Sequence, residues 1–204
     1  MFSDRLYQKY QNLLQDDVRL INRIQGSAER MQALIIDILA FSRISIDKTN
    51  FVLSNMNEIL QEILTDINEE IHTRNASITI DDLPTLEVNP RLMRMLFHNL
   101  ISNALKYSKT DVPPKIDISS NVVTENNRQY NLIVVKDNGI GFEQEYADKI
   151  FQIFTRLHGN ADYSGTGVGL SIVKKVVENH NGFIGVESSP GHGATFNIYL
   201  PVEQ

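Results

Sequence analysis

The segment GTGVGLSIVKKVVENHNG, residues 165–182, is the most informative stretch of the chain. Glycine alternates over its first five residues, and the apolar spacing that follows predicts an amphipathic helix from Gly169 to Asn181. Glycines that open a helix leave its first N–H groups free, and together with the helix dipole they form a site for an anion. Alone, GTGVGL is a weak signal. It is neither a dinucleotide-binding fingerprint nor a P-loop, because it lacks a crossover strand before it and a Gly-Lys-Ser/Thr ending.

Two further glycine clusters lie next to predicted strands. DNGIGF, residues 137–142, directly follows the predicted strand 132–135, and Gly191-His192-Gly193 directly precedes the predicted strand 194–200. Glycine at the end of a strand lets the main chain approach a ligand closely. We therefore consider both turns candidates for ligand contact.

The segment HNLISNALKYS, residues 98–108, places polar side chains on a predicted helix. Asn99, Asn103 and Lys106 are four and three residues apart, so they share one face of that helix. Amide oxygens can hold a hard cation such as Mg²⁺, which takes other ligands from water and phosphate, and a lysine ammonium can pair with phosphate. The alternative, a solvated polar face, stays open, but this combination beside apolar positions is unusual for solvent.

The remaining periodicities place helices among mostly adjacent strands. Predicted helices span 56–74, 90–108 and 169–181, and predicted strands span 77–81, 115–123, 129–135, 183–187 and 194–200. Residues 125–127 form the turn of a predicted hairpin between the strands 115–123 and 129–135. This order predicts an α/β fold, a two-layer α/β sandwich with a mixed sheet.

Residues 1 to about 45 follow a different pattern. Apolar residues recur in steps of three and four from Leu14 to Ile38, the seam of a coiled coil or bundle. We predict a long bundle-forming α-helix from Leu14 to Ser45, preceded by a short helix over residues 3–11. Such a helix cannot bury its stripe alone. It packs either on the rest of the chain or on a second copy, and we favour a homodimer through a helical bundle.

The composition excludes several classes of protein. Of the 204 residues, 42% are apolar and 22% charged, which is a globular composition rather than a disordered one. The chain has no cysteine, which excludes disulfide scaffolds and thiol nucleophiles. A net charge of −6 argues against nucleic acid as a partner. We find no signal peptide and no apolar run long enough to span a bilayer, so we expect no membrane contact by this part of the protein.

Four sequence motifs, in this order, resemble the nucleotide-binding boxes of the sensor histidine kinases, which belong to the ATPase superfamily shared with DNA gyrase. The matching segments are NLISNALKYS for the N box, DNGIGF for G1, IFQIFTRLH at 150–158 for the F box and GTGVGL for G2, with GHGATF as the final glycine motif. The segment RIQGSAERMQALIIDILAFSRIS resembles the second dimerisation helix of that family. The resemblance implies partial dimerisation and phosphotransfer helices over residues 1–48 and a catalytic ATP-binding domain over residues 49–204.

The resemblance also implies a role for each matching residue. Asp137 accepts a hydrogen bond from the adenine amino group, and Thr195 supports this carboxylate. Asn99 and Asn103 hold Mg²⁺. The other nucleotide contacts implied are Lys106, Tyr107 and Arg156 at the phosphates or ribose, Gly139, Ile140 and Gly141 beside the base, and Gly165, Thr166, Gly167, Val168, Gly169 and Leu170 at the phosphate end.

The region between the G1 and G2 boxes resembles the ATP lid of the family. It runs from about Gly141 to Gly165, with Phe151 and Phe154 expected to anchor it. IFQIFTRLH followed by Tyr163 and GTGVGL is most similar to the phytochrome-like branch of the sensor kinases.

The implied function is transfer of the γ-phosphoryl group of ATP to a histidine and then to an aspartate on a response-regulator receiver domain. None of the histidines, His72, His98, His158, His180 and His192, stands in the Ser-His-Asp/Glu context of the family's phosphoacceptor. We therefore expect a fragment that begins just after the phosphorylation site, and expect it not to phosphorylate itself. Two alternatives stay open: a serine-directed kinase of the same superfamily, and a nucleotide-binding dimerisation module without kinase activity. The fragment is expected in the cytoplasm, and membrane anchoring of the parent protein is left open.

Overall fold

The computed structural model describes residues 15–44, 50–157 and 165–202. The helices are α1 Gln15–Ile44, α2 Met56–Asp66, α3 Asn68–Thr73, α4 Pro90–Lys106 and α5 Gly169–Asn179. The strands are β1 Val52–Asn55, β2 Ser77–Ile80, β3 Thr85–Val88, β4 Lys115–Glu125, β5 Arg128–Asp137, β6 Phe183–Ser188 and β7 Ala194–Pro201. Two short 3₁₀ turns, Gln144–Tyr146 and Lys149–Phe151, lie between β5 and α5.

Five strands form the main sheet in the order β2-β4-β5-β7-β6. The β2–β4 pair is parallel and the other three pairs are antiparallel, so the sheet is mixed. β1 and β3 form a separate antiparallel pair. The predicted α/β sandwich with a mixed sheet is therefore confirmed.

Strand alternation separates the two faces of the sheet. Ile116 and Ile118 of β4 and Phe196 and Ile198 of β7 are buried and belong to the same core as Phe97 of α4. Successive side chains of a strand point to opposite faces, so one face meets the helices and the other carries the more exposed positions. The helical layer and the sheet together place the ends of α4, β5 and α5 next to one another.

The predicted hairpin turn is confirmed. Asn126 and Asn127 connect β4 directly to β5, and both have positive φ, 50° and 61°. Positive φ at both central residues matches the twist of a two-residue hairpin, and asparagine tolerates this conformation better than most residues.

One part of the predicted secondary structure is wrong. The single helix expected over residues 56–74 is divided at Ile67, which has φ −101° and ψ 12°. Asp66, Ile67 and Asn68 all have modest helix propensity, which favours a break there. The strands β1 and β3 are additional elements that the sequence pattern did not predict.

The long N-terminal helix is present over the described residues, and the short helix expected over residues 3–11 lies outside them. Its C-terminal end packs on α5, where Ile44 is 1% exposed. Further toward the N-terminus the apolar stripe is uncovered within one chain, with Ile24 69% and Met31 59% exposed. Intramolecular packing thus covers the C-terminal end of α1 and leaves the apolar stripe before it exposed. No helix in the described part of the chain is long and apolar enough to cross a membrane.

Candidate nucleotide-binding site

Two adjoining cavities lie where α4, the end of β5 and the start of α5 meet. The smaller, about 100 Å³, is called here the Asp137 cavity and is lined by Asn103, Ala104, Tyr107, Asp137, Ile140, Gly141, Phe142, Ile150, Thr155, Arg156, Leu157, Leu170, Ala194 and Phe196. The larger, about 360 Å³, is called here the Lys106 cavity and is lined by Ala33, Asp37, Asn99, Ser102, Asn103, Lys106, Tyr107, Ile150, Thr155, Gly165, Thr166, Gly167, Gly169 and Leu170. Five residues line both, so the two cavities adjoin each other: Asn103, Tyr107, Ile150, Thr155 and Leu170.

Asp137 ends β5 and is the carboxylate of the smaller cavity. Its Oδ1 accepts hydrogen bonds from the backbone N–H groups of Gly139 at 2.8 Å and Ala194 at 3.2 Å. Burial raises the pKa of this carboxyl group, and the two backbone hydrogen bonds oppose the shift without cancelling it. Within the described residues both bonds go to Oδ1, so Oδ2 can accept from a ligand in the cavity.

Close backbone packing around Asp137 requires glycine at two turns. A Cβ at Gly193 would lie 2.0 Å from the backbone oxygen of Asp137, and the φ of Gly193 is +80°. A Cβ at Gly139 would lie 2.6 Å from the backbone oxygen of Tyr107. The three segments that surround the carboxylate are therefore held together through main chain, which leaves little freedom for the carboxylate to move.

The Lys106 cavity has a polar lining with the character of an anion site. The helix α5 begins at Gly169 with no side-chain cap, so its first N–H groups and the positive end of its dipole remain available. The Lys106 ammonium is half-buried and donates to the Tyr107 hydroxyl at 2.9 Å. An ammonium beside a free helix start is an arrangement that binds phosphate.

Asn99 and Asn103 lie on the α4 face that lines this cavity. The Asn99 amide nitrogen donates to the Met95 carbonyl at 2.7 Å, which directs its oxygen away from that carbonyl. A Cβ at Gly169 would lie 2.6 Å from that oxygen, so the start of α5 passes directly over Asn99. The two amides and the glycine-rich turn thus form one surface.

The structure brings most of the sequence-predicted site residues to the two cavities. Those that line one or both are Asn99, Asn103, Lys106, Tyr107, Asp137, Ile140, Gly141, Arg156, Gly165, Thr166, Gly167, Gly169 and Leu170. Gly139 is buried and contributes its N–H to Asp137, while Val168 is fully buried in the core. Thr195 lies between Ala194 and Phe196 on β7, and both of these neighbours line the cavity. Successive side chains of a strand point to opposite faces, so the Thr195 side chain points away from the cavity.

Of the two phenylalanines expected to anchor the lid, Phe151 and Phe154, only the first is buried. Phe151 is buried and packs in the core, as anticipated for an anchor. The expectation for Phe154 is wrong, because its side chain is 56% exposed and its φ is +68°. Instead its backbone N–H donates to the Gly167 carbonyl at 3.0 Å, which ties this segment to the glycine-rich turn. His158 and Tyr163 lie outside the described residues.

Sequence reasoning missed several lining residues. Ala194 and Phe196 could have been found from the alternation of β7 next to the Gly193 turn. Ala33 and Asp37 belong to α1, and no local pattern could have placed them beside residues more than 100 positions away. Their place depends on how α1 packs on α5.

Comparison with known proteins identifies the class to which this site belongs. Residues 88–204 match the family of histidine kinase-, DNA gyrase B- and HSP90-like ATPases, and the chain belongs to this family. Cyanobacterial phytochrome A of Nostoc sp. is 38% identical over 198 residues, which are 97% of this chain and 25% of that protein. Sensor protein kinase WalK of Staphylococcus aureus is 35% identical over 185 residues, 86% of this chain and 29% of that protein. The chain spans about a quarter of the length of these curated relatives.

Solved structures show the same fold. The catalytic domain of the histidine kinase ThkA matches with a TM-score of 0.61 and 26% identity, covering 76% of this chain and 99% of that one. Full-length ShkA in complex with AMPPNP matches with a TM-score of 0.69 and 21% identity, covering 93% of this chain and 39% of that one. The resemblance expected from the motifs, including its phytochrome-like character, is confirmed by these relatives.

Proposed function

We propose that the chain is the ATP-binding catalytic part of a sensor histidine kinase, with bundle helices over residues 1–48 and the ATP-binding domain over residues 49–204. The observation that carries this proposal is the pair of adjoining cavities, with a half-buried carboxylate at one end and an ammonium beside a free helix start at the other. A nucleotide is complementary to this arrangement, because its neutral base can lie at the carboxylate and its anionic phosphates at the ammonium. The membership of the ATPase family supports the same conclusion.

In this proposal Asp137 selects adenine. Its Oδ2 accepts from the amino group of the base, while Oδ1 stays fixed by two backbone N–H groups. Guanine presents a carbonyl oxygen where adenine presents the amino group, so an ionised carboxylate repels it. Ile140, Leu170 and Phe196 supply apolar contact around the base.

At the other end, Lys106 and the first N–H groups of α5 bind the phosphates. The amide oxygens of Asn99 and Asn103 would hold Mg²⁺ together with phosphate oxygens and water. Two neutral amide oxygens on one helix face fit a cation that takes its remaining ligands from water and phosphate. When bound, Mg²⁺ neutralises charge on the phosphates. The contribution of the protein is then to position the γ-phosphoryl group, as is general for phosphoryl transfer.

The acceptor histidine is proposed to belong to a part of the kinase other than the described residues. Of the histidines described, His180 is fully buried, and His72, His98 and His192 lie on the catalytic domain rather than on α1. We accordingly propose that this chain does not phosphorylate itself. Transfer onward to a response-regulator receiver domain, homodimerisation through α1 and a cytoplasmic location complete the proposal.

Calorimetry with Mg·ATP and Mg·GTP tests the nucleotide site. We expect ATP to bind with an affinity about a hundredfold higher than that of GTP, because one wrong hydrogen-bonding group at a buried acceptor costs about 1–3 kcal/mol. Asp117→Asn is the matched control for the substitution Asp137→Asn. Asp117 is an exposed acid on β4, so its substitution should leave both affinities unchanged. Equal affinities for ATP and GTP would remove Asp137 from the proposed role.

Incubation with γ-labelled ATP tests the kinase step. The chain alone should acquire no stable label, and a second polypeptide that carries the histidine-bearing helix of the family should become labelled in its presence. Strong ATP binding without transfer to that helix would instead favour a nucleotide-binding module without kinase activity.

A further inference from the structure

The helix α1 contributes a carboxylate to the Lys106 cavity. Asp37 is half-buried on α1, and its Oδ2 accepts a hydrogen bond from the hydroxyl of Thr166 in the glycine-rich turn. Ala33, one turn earlier on α1, lines the same cavity. The cavity is therefore closed on one side by a helix that lies outside the ATP-binding domain.

The surroundings of Asp37 are those expected for a phosphate. Lys106 lines the same cavity, and its ammonium lies so near the turn that a Cβ at Gly165 would be 2.5 Å from Nζ. The uncapped start of α5 follows three residues after Thr166. Asp37 forms no ion pair with Lys106 among the described residues, but both charged side chains line the same cavity.

We propose that Asp37 is a further residue of the nucleotide site, an internal anion at the phosphate end that the phosphate chain of the nucleotide must displace. The proposal rests on the proposed function, because it assumes that nucleotide phosphates enter the Lys106 cavity. Two like charges in one cavity repel each other, so the cost of binding grows with the charge of the phosphate chain. Asp37 therefore sets how strongly the site distinguishes nucleotides by the number of their phosphates.

The packing of α1 allows Asp37 to leave without the whole helix detaching. Seven residues after Asp37, Ile44 is buried in the core and its carbonyl accepts a hydrogen bond from the Asn179 side chain. Seven residues of helix correspond to about 10 Å. The anchored end is apolar and distant from the phosphates, whereas the contact at Asp37 is polar and lies within the cavity. Displacement of Asp37 thus swings α1 about a fixed end.

This arrangement couples the nucleotide to α1 in both directions. If ATP weakens the contact between Asp37 and Thr166, then any partner that pulls α1 away raises the affinity for ATP by the same factor. Thr166 becomes available to the nucleotide at the same moment, because its hydroxyl no longer donates to Asp37.

Calorimetry with adenosine, ADP and ATP on the wild-type chain and on Asp37→Asn tests the proposal. Asparagine keeps the shape and can still accept from Thr166, so only the charge is removed. We expect the affinity for ATP to rise about fivefold or more, a typical coupling between sites, with a smaller rise for ADP and none for adenosine. Glu29→Gln is the matched control, because Glu29 is an exposed acid on the same helix outside the cavity and loses the same charge.

The outcomes separate this proposal from the function on which it rests. An equal or lower affinity for ATP in Asp37→Asn, with clear binding to the wild type, overturns the role of Asp37 alone. A rise equal to that of Glu29→Gln also overturns it, because the effect would then be general electrostatics. Failure of all three proteins to bind any of the nucleotides overturns the proposed function together with this inference.

A distance measurement tests the swing of α1 independently of affinity. The chain has no cysteine, so nitroxide labels can be attached at Gln32→Cys on α1 and Lys174→Cys on α5, both exposed positions. We expect ATP to lengthen or broaden the distance distribution and adenosine to leave it unchanged. A distribution that is unaltered by saturating ATP overturns the displacement.

Discussion

The Asp137 cavity and the Lys106 cavity adjoin each other but are built in different ways. Around Asp137 the contacts are main chain: a Cβ at Gly193 would meet the backbone oxygen of Asp137 at 2.0 Å. In the Lys106 cavity a Cβ at Gly165 would meet only the mobile end of the Lys106 side chain, at 2.5 Å from Nζ. Backbone cannot yield without moving whole strands, whereas a lysine ammonium can shift by rotation of its stem. One end is therefore suited to strict selection of a base and the other to adapting to different phosphate chains.

The largest effect should come from filling the space beside Asp137. Gly193→Ala adds a Cβ at φ +80° against backbone, and should lower the free energy of unfolding by about 3 kcal/mol or more. Gly191→Ala is the matched control, because its φ is +79° but nothing lies within 4 Å of its Cβ position. That control should cost only the backbone strain, about 1–2 kcal/mol. Urea denaturation measures both, and equal losses would show that contact with Asp137 is not the cause.

An intermediate effect is expected in the Lys106 cavity. Lys106→Met keeps the apolar stem and removes the charge, and should weaken ATP binding about tenfold to a hundredfold through loss of a charged hydrogen bond. Adenosine should bind as to the wild type, since it lacks the phosphates. Calorimetry with both ligands checks this, and a parallel loss for adenosine would contradict the separation of the two cavities.

A smaller effect should arise at His180, which joins the ends of α4 and α5 that lie opposite the two cavities. Its Nε2 accepts from the N–H of Asn89 at 3.0 Å and its Nδ1 donates to the Val176 carbonyl at 2.7 Å, so the neutral ring joins α4 to α5. Burial lowers the pKa of His180 below 6.5. The stability that this ring contributes is present above pH 6.5 and is lost as pH falls through the lowered pKa.

His180→Gln should cost about 1 kcal/mol at pH 8 through poorer packing and hydrogen bonding. It should also flatten the decline of stability between pH 6.5 and more acid pH, because glutamine does not titrate. Thermal melts over that range measure the difference. An identical pH dependence in both proteins would exclude His180 as the titrating group.

Features that depend on local sequence patterns could be predicted, whereas features that depend on tertiary packing could not. The turn at Gly139 and Gly193 and the polar face of α4 are local patterns, so their residues could be read without coordinates. The break at Ile67 and the pairing of β1 with β3 depend on weak propensities and short segments, which local patterns do not resolve. The contact between Asp37 and Thr166 depends on tertiary packing of α1 and leaves no trace in the motif.

The orientation of Thr195 illustrates the same limit on a smaller scale. The family resemblance implied that Thr195 supports Asp137. In the structure it is the backbone N–H of Ala194 that bonds to Asp137, while the Thr195 side chain leaves the opposite face of β7. Alternation along a strand shifts a role by one residue, and the register is fixed only by pairing.

The most direct test of the account is Asp137→Asn, measured for both ATP affinity and stability. The asparagine oxygen can keep both backbone hydrogen bonds, while its amide nitrogen meets the adenine amino group as a second donor. Since burial raises the pKa of Asp137, the ionised carboxylate lowers the stability of the folded state as pH rises through that pKa. We predict that the variant loses ATP affinity about a hundredfold at pH 7 yet unfolds at the same or a higher urea concentration. Unchanged ATP affinity in a folded variant would contradict the account.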